Sequence, residues 1–218
     1  SRVLKLLNTV RSRKKKMEKK HFAEKISSEF APYLLVDSLP DIETELFQKN
    51  SSCPQKSMAA LRDRFCFLMT TYGILRGESL FKCELSDLCG FIKRDEGPHP
   101  CQILVMRIAT GKTNGLKTLF GRVMRHNDVS QCPVGALGFY LMQRFSLTGE
   151  TFDFTSNDSW FNIKLLVEYR TTDFEKSVSD QAYAKSMRTV CKKLGINSKH
   201  FVHFGRGVGA LKGELEEL

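Results

Sequence analysis

The stretch from Gln102 to Met124 most constrains what this chain can fold into. Ile103, Leu104, Val105, Met106 and Ile108 form a dense apolar, β-branched run, the composition of a strand. Gly111-Lys112-Thr113-Asn114-Gly115 follows, and Asn-Gly is the dipeptide of a tight hairpin turn. Leu116–Met124 then returns as the partner strand. A shorter candidate strand, Cys89–Lys93, precedes the pair across an Asp95-Glu96-Gly97-Pro98 turn. On both sides of this region, apolar residues recur at spacings of three and four. The fold class predicted is α+β, mostly α-helical, with a small antiparallel sheet. The Gly-Lys-Thr is not a phosphate-binding P-loop: the first glycine of that pattern would fall on Met106, and no helix follows.

The helical pattern has clear punctuation. Residues 2–30 read as a helix ended by Ala31-Pro32. Ser38 opens a short helix that ends near Asn50. Ser52 is placed to cap a helix over 54–72 whose apolar face is Met58, Leu61, Phe65, Leu68, Met69 and Tyr72, with Gly73 as its stop. Arg76 follows that stop and precedes a short helix, Glu78–Cys83. Pro133 opens a helix to about Phe145, and Thr148–Asp158 reads as loop. Ser159–Leu166 is helical or extended, with Trp160 in the core. Ser179 caps a helix over 180–194 that stops at Gly195. His203-x-x-Arg206 opens one more helix, with both side chains on one face of its first turn.

Charge is concentrated at one end. Residues 1–25 hold ten Lys/Arg against two acids, so +8 of the total +10 lies there. The run Arg11, Arg13, Lys14, Lys15, Lys16, Lys19 and Lys20 suits a polyanion backbone, and equally a solvated helix or a nuclear-import signal. The expected organisation is a basic helical segment over 1–35 and one domain over 36–218. Seven cysteines, an odd count with no Cys-x-x-Cys, fit buried free thiols in a reducing compartment. No paired ligand spacing points to a metal, and no cofactor is expected. No apolar run approaches the ~18 residues of a membrane span. Both ends fall within helical patterns, as expected of a piece of a longer protein.

Taken together, the Gly-x-x-Arg turn at Arg76, the lysine-bearing hairpin and the His203-x-x-Arg206 pair, in that order, resemble the catalytic domain of tyrosine recombinases. The resemblance implies that Arg76, Lys112 (or Lys117), His203 and Arg206 converge on one phosphate. Such a set suits phosphoryl transfer, in which donors stabilise oxygens that gain charge. Leu75-Arg76-Gly77-Glu78-Ser79, Arg125-His126-Asn127-Asp128, Cys132-Pro133-Val134-Gly135-Ala136-Leu137 and Trp160 with Lys164-Leu165-Leu166 extend the likeness. Over about 38–211 the chain resembles the recombinase-like domain of the large subunit of the budding-yeast centromere-binding complex. That resemblance implies double-stranded DNA and other kinetochore subunits as partners, a homodimer formed partly through regions outside this fragment, and a nuclear, centromeric location.

Two departures bear on the chemistry. Gly205 and Gly207 flank Arg206 and are expected to loosen its helix. The tyrosines, at 33, 72, 140, 169 and 183, all precede His203, whereas the family's nucleophile follows it. The reading is therefore a non-catalytic domain that holds DNA through Arg76, Lys112, Lys117, His203 and Arg206. Arg122, Arg125 and the basic segment (Arg11, Arg13, Lys14, Lys15, Lys16, Lys19, Lys20) would extend the track. A fragment of an active recombinase and a protein-interaction scaffold on a relic fold are the alternatives.

Overall fold

In the computed structural model the described residues are 37–48, 53–94, 99–108, 118–151, 153, 155–168, 173–196 and 204–216. The expected helix over 2–30, the Asn114-Gly115 turn and the loop at 95–98 lie outside them.

One helix, α2 (Pro54–Tyr72), organises the rest. Its sequence periodicity predicts an amphipathic helix with one buried face. Instead, every position from Arg62 to Thr71 is buried. A helix covered on all sides must find partners for its polar groups. Arg62 does so through Asp63 (Nη2–Oδ1 2.8 Å) and the Val167 carbonyl (3.0 Å). Arg64 is matched only in part: Nη2 donates to the Val129 and Ser130 carbonyls and the guanidinium lies over the Phe47 ring, while Nε and Nη1 are buried without a hydrogen bond, and burial depresses its pKa. The helix begins at Cys53, whose side chain makes no cap hydrogen bond, rather than at Ser52. Around α2 pack α1 (Leu39–Gln48), α3 (Gly77–Phe81), α4 (Pro133–Thr148), α5 (Asp180–Lys193) and α6 (Phe204–Glu216).

Caps explain two of the helix starts and one of the ends. Ser179 Oγ accepts the Ala182 N–H at the start of α5, as its position predicts. At α4 the same task falls to sulfur: Cys132 Sγ accepts the Gly135 N–H (3.2 Å). α4 runs past Phe145 to Thr148 because Gly149, at φ 65°, supplies the left-handed residue that ends it.

The sheet has strand order β1-β2-β3, all antiparallel, from β1 (Leu88–Lys93), β2 (Cys101–Ile108) and β3 (Leu119–Met124). Leu104, Met106 and Val123 point from one face into the core. The segment Lys164–Val167 is extended rather than helical. Its backbone pairs with Cys83, Phe174 and Val178, and Leu165, Leu166 and Val167 are fully buried. Trp160 is only half-buried, packed edge-on against Phe161. Of the seven free cysteines, Cys66, Cys83, Cys132 and Cys191 are buried, and burial pushes the Cys191 thiol up to about 11. Cys89 is exposed, against expectation, because β1 is an edge strand.

Candidate nucleic-acid interface

Arg76 is held by the turn that leaves α2. Gly73 caps the helix in the right-handed region, and its N–H bonds the Met69 carbonyl (3.1 Å). The next residue, Ile74, has φ 50°. That conformation costs an L-residue about 1–2 kcal/mol, and a β-branched one is a true outlier there. It turns the chain so that Leu75 points inward. Leu75 packs where β3 has no side chain: a Cβ on Gly121 would lie 2.7 Å from its Cδ2. The strained turn is thereby pinned to the core face of the sheet. Arg76 follows as the half-buried N-cap of α3, its carbonyl accepting the Ser79 and Leu80 N–H groups (3.0 and 3.2 Å).

Arg206 is brought to the same end of α2 by a different device. Gly205 and Gly209 sit on Thr70 and Thr71, in the last turn of α2. A Cβ on Gly205 would lie 2.3 Å from Thr70 Oγ1, and one on Gly209 only 1.8 Å from the Thr71 carbonyl oxygen. The glycines therefore let two helix backbones meet. The expected loosening at Gly205 is offset by this contact, and Gly205 is buried. The Gly205-x-x-x-Gly209 spacing is the signal that sequence reasoning overlooked. Arg206, beside Gly205, is half-buried.

The other expected contacts separate. Arg122 is exposed on β3, on the face opposite Gly121 and Val123, and so points away from the Arg76 turn. Arg125 lies past the end of β3 remote from Leu119, roughly 20 Å along the strand at ~3.3 Å per residue. There its side chain meets Gln102 Oε1 (3.3 Å). Arg107, also on the hairpin, is engaged by Asp87 (Nε–Oδ1 and Nη2–Oδ1 both 2.7 Å). Lys112, Lys117, His203 and the basic residues Arg11–Lys20 lie outside the described residues.

The three described tyrosines are all occupied. The Tyr140 hydroxyl donates to the Leu165 carbonyl (3.0 Å) and accepts the Val167 N–H (3.2 Å). Tyr183 is enclosed in the core, and burial raises its phenol well above the usual range. The Tyr72 hydroxyl donates to Glu43 Oε1 (2.6 Å), beside Gln131. Among the described residues no cluster of His, Cys, Asp or Glu could hold a metal ion, and no helix is long and apolar enough to cross a membrane.

Residues 5–217 match the family described as centromere DNA-binding protein complex CBF3 subunit, domain 2. The chain belongs to that family. No curated protein matches the sequence. The fold is that of tyrosine recombinases. It is similar to the XerH site-specific recombinase bound to difH substrate in a pre-cleavage complex (TM-score 0.53, 13% identity, 83% of this chain and 42% of that one). It is also similar to FLP recombinase in a Holliday junction complex (0.50, 12%, 97% and 48%) and to Flpe in another (0.52, 12%, 96% and 49%). The chain thus spans less than half the length of these recombinases. At such identities the likeness concerns the fold alone.

Proposed function

We propose that this chain holds duplex DNA by its backbone as part of a centromere-binding assembly, and that it does not cut what it holds. The observation that carries this reading is that Arg76 and Arg206 lie at one end of α2, the first on a turn and the second in the first turn of α6, each fixed by close packing. A guanidinium offers a planar fork of donors matched to phosphate, and a fixed turn lowers the entropy lost on binding. In this reading Lys112, or Lys117 in its place, and His203 complete the phosphate cradle. Arg125 and the segment Arg11, Arg13, Lys14, Lys15, Lys16, Lys19 and Lys20 meet neighbouring phosphates along the track, whereas Arg122, on the opposite face of the sheet, reaches phosphate only where the duplex passes the sheet's edge. Tyr72, Tyr140 and Tyr183 are engaged by hydrogen bonds or packing and precede His203, so none of these three stands where the family's nucleophile would. The family supports other complex subunits as partners and a nuclear, centromeric site of action. A homodimer, if formed, uses regions partly outside this chain.

Phosphate contacts release counterions, so affinity should fall steeply with salt and depend little on sequence. The test is a duplex titration at two salt concentrations with two unrelated sequences. A loss of about a thousandfold between roughly 50 and 200 mM salt is expected for six or more phosphate contacts. Salt-independent binding, or none, overturns the reading. The recombinase fold favours one rival, a catalytic fragment whose nucleophile lies elsewhere. Incubating a longer form of the protein with a nicked suicide substrate tests it, because cutting requires a covalent protein–DNA adduct.

A further inference from the structure

β1 is an edge of the sheet, and two hydrogen bonds fix which way its backbone groups point. The Leu88 N–H turns away from β2 and bonds the Leu85 carbonyl. The Gln102 carbonyl turns towards β3 and accepts the Arg125 N–H (2.8 Å). In an antiparallel strand the N–H and C=O of one residue point the same way, and the direction alternates along the chain. Cys89, Phe91 and Lys93 therefore bond β2, opposite Val105, Ile103 and Cys101. Gly90 and Ile92 turn both of their groups outward, where no partner meets them among the described residues. Edge strands are ordinarily blunted by charges, prolines or bulges. Residues 89–92 have none of these: their register is unbroken, and all four are exposed.

The same two residues border a groove on the core side of the sheet. It holds about 290 Å³ between Gly90, Ile92, Gln102 and Leu104 and the start of α4 at Val134, and no charged residue lines it. Gly90 leaves it open towards the edge, since a Cβ there would meet nothing within 4 Å.

We infer that β1 takes up an extended segment of a partner protein as a fourth strand, and that one large apolar side chain of that segment fills the groove. The edge selects a polypeptide. Gly90 and Ile92 present donors and acceptors in alternation, which another strand matches residue for residue. A phosphate backbone offers acceptors alone, and the uncharged lining has nothing to hold it. The groove selects the side chain. Residues directly opposite in a sheet share a face, so the one paired with Gly90 points into the groove. A cavity of roughly 150 Å³ already encloses a benzene ring, so Phe, Leu or Met fits there. The size of the edge selects a segment over a second copy of the chain. A six-residue strand offers a strip about 20 Å long and ~10 Å deep, roughly 200 Å², against ~800 Å² per partner between folded domains. β2 separates this edge from β3, where the Leu75 turn is seated, so the inference does not depend on the proposed DNA contacts.

The probe is a displayed library of short random peptides, selected on the chain. The enriched peptides are expected to share one large apolar residue among β-forming neighbours. Gly90→Leu fills the groove from within, and should keep the unfolding midpoint while weakening these peptides about tenfold or more. N-methylation of a selected peptide, one residue at a time, tests the strand geometry on the unaltered protein, and decides the matter if Gly90→Leu lowers the midpoint. Affinity should fall at every second residue. Failure to enrich any peptide, equal binding to a folded Gly90→Leu protein, or methylation effects without alternation overturn the inference. So does a dimer of the chain that Gly90→Leu dissolves, which would assign the edge to a second copy.

Discussion

Arg144 and the pair Arg76 and Arg206 lie in contrasting parts of the same helical layer. Arg144 is wholly enclosed. Its Nε and Nη2 meet Glu150 (2.7 and 2.6 Å), its Nη1 meets the Lys164 and Leu165 carbonyls, and Thr148 holds the carboxylate from the other side. Such a cation has its charge and donors accounted for within the fold and can only brace it. Arg76 and Arg206 are half-exposed, and what is invested in them is backbone: a left-handed isoleucine beneath one, two close-approach glycines beneath the other. The difference teaches how to sort arginines in a basic chain. A structural one is enclosed among its acceptors, with a counter-charge at Arg144 and Arg62 and with carbonyls alone at Arg64. Arg76 and Arg206 are instead carried on a fixed main chain and left reachable.

The contrast can be broken from either side. Glu150→Ala should have the largest effect, about 3–5 kcal/mol in urea unfolding, because it strands a buried guanidinium. Duplex affinity of the remaining folded protein should not change. If stability barely falls, Arg144 is not the brace described. Gly209→Ala should cost about 3 kcal/mol, since its methyl meets the Thr71 carbonyl and α6 must shift, and it should weaken duplex binding as well. Retained binding in a destabilised Gly209→Ala protein would separate Arg206 from the interface. Arg76→Ala and Arg206→Ala should each lower the salt slope of duplex binding by about one, with little effect on unfolding. The reverse pattern, stability lost and slope kept, would class them with Arg144. The smallest effect is expected of Ile74→Gly. Relief of the left-handed strain should stabilise the fold by about 1 kcal/mol or less, read as a higher unfolding midpoint.

The elements whose signals are local were legible in the sequence. Ser179, Gly195 and Pro133 mark helix ends by their own chemistry, and the β-branched run of β2 marks a strand. What escaped are properties that only a neighbour confers. The ten consecutive buried positions of α2 include Arg62, Asp63, Arg64 and two threonines, which no periodicity rule assigns to a core. Ile74 is unremarkable as a letter, and its strain arises from the need to seat Leu75 on Gly121. For the site, the order Arg76, hairpin, Arg206 was readable. That Arg122 and Arg76 lie on opposite sides of one sheet was not, because strand parity becomes a direction only once the core face is known.

The seat of α6 on α2 also fixes what drift this lineage can tolerate. A helix held by side-chain knobs can creep when those side chains change. A slip of one residue here would turn Arg206 through about 100° and bring Val208 or Ala210 to the place where the Thr71 carbonyl leaves no room even for a methyl group. The helix accordingly has one register or none. Two uncharged glycines thereby act as the alignment pins of the helix that carries Arg206, and a survey of variants should find them as intolerant of change as the arginine they index.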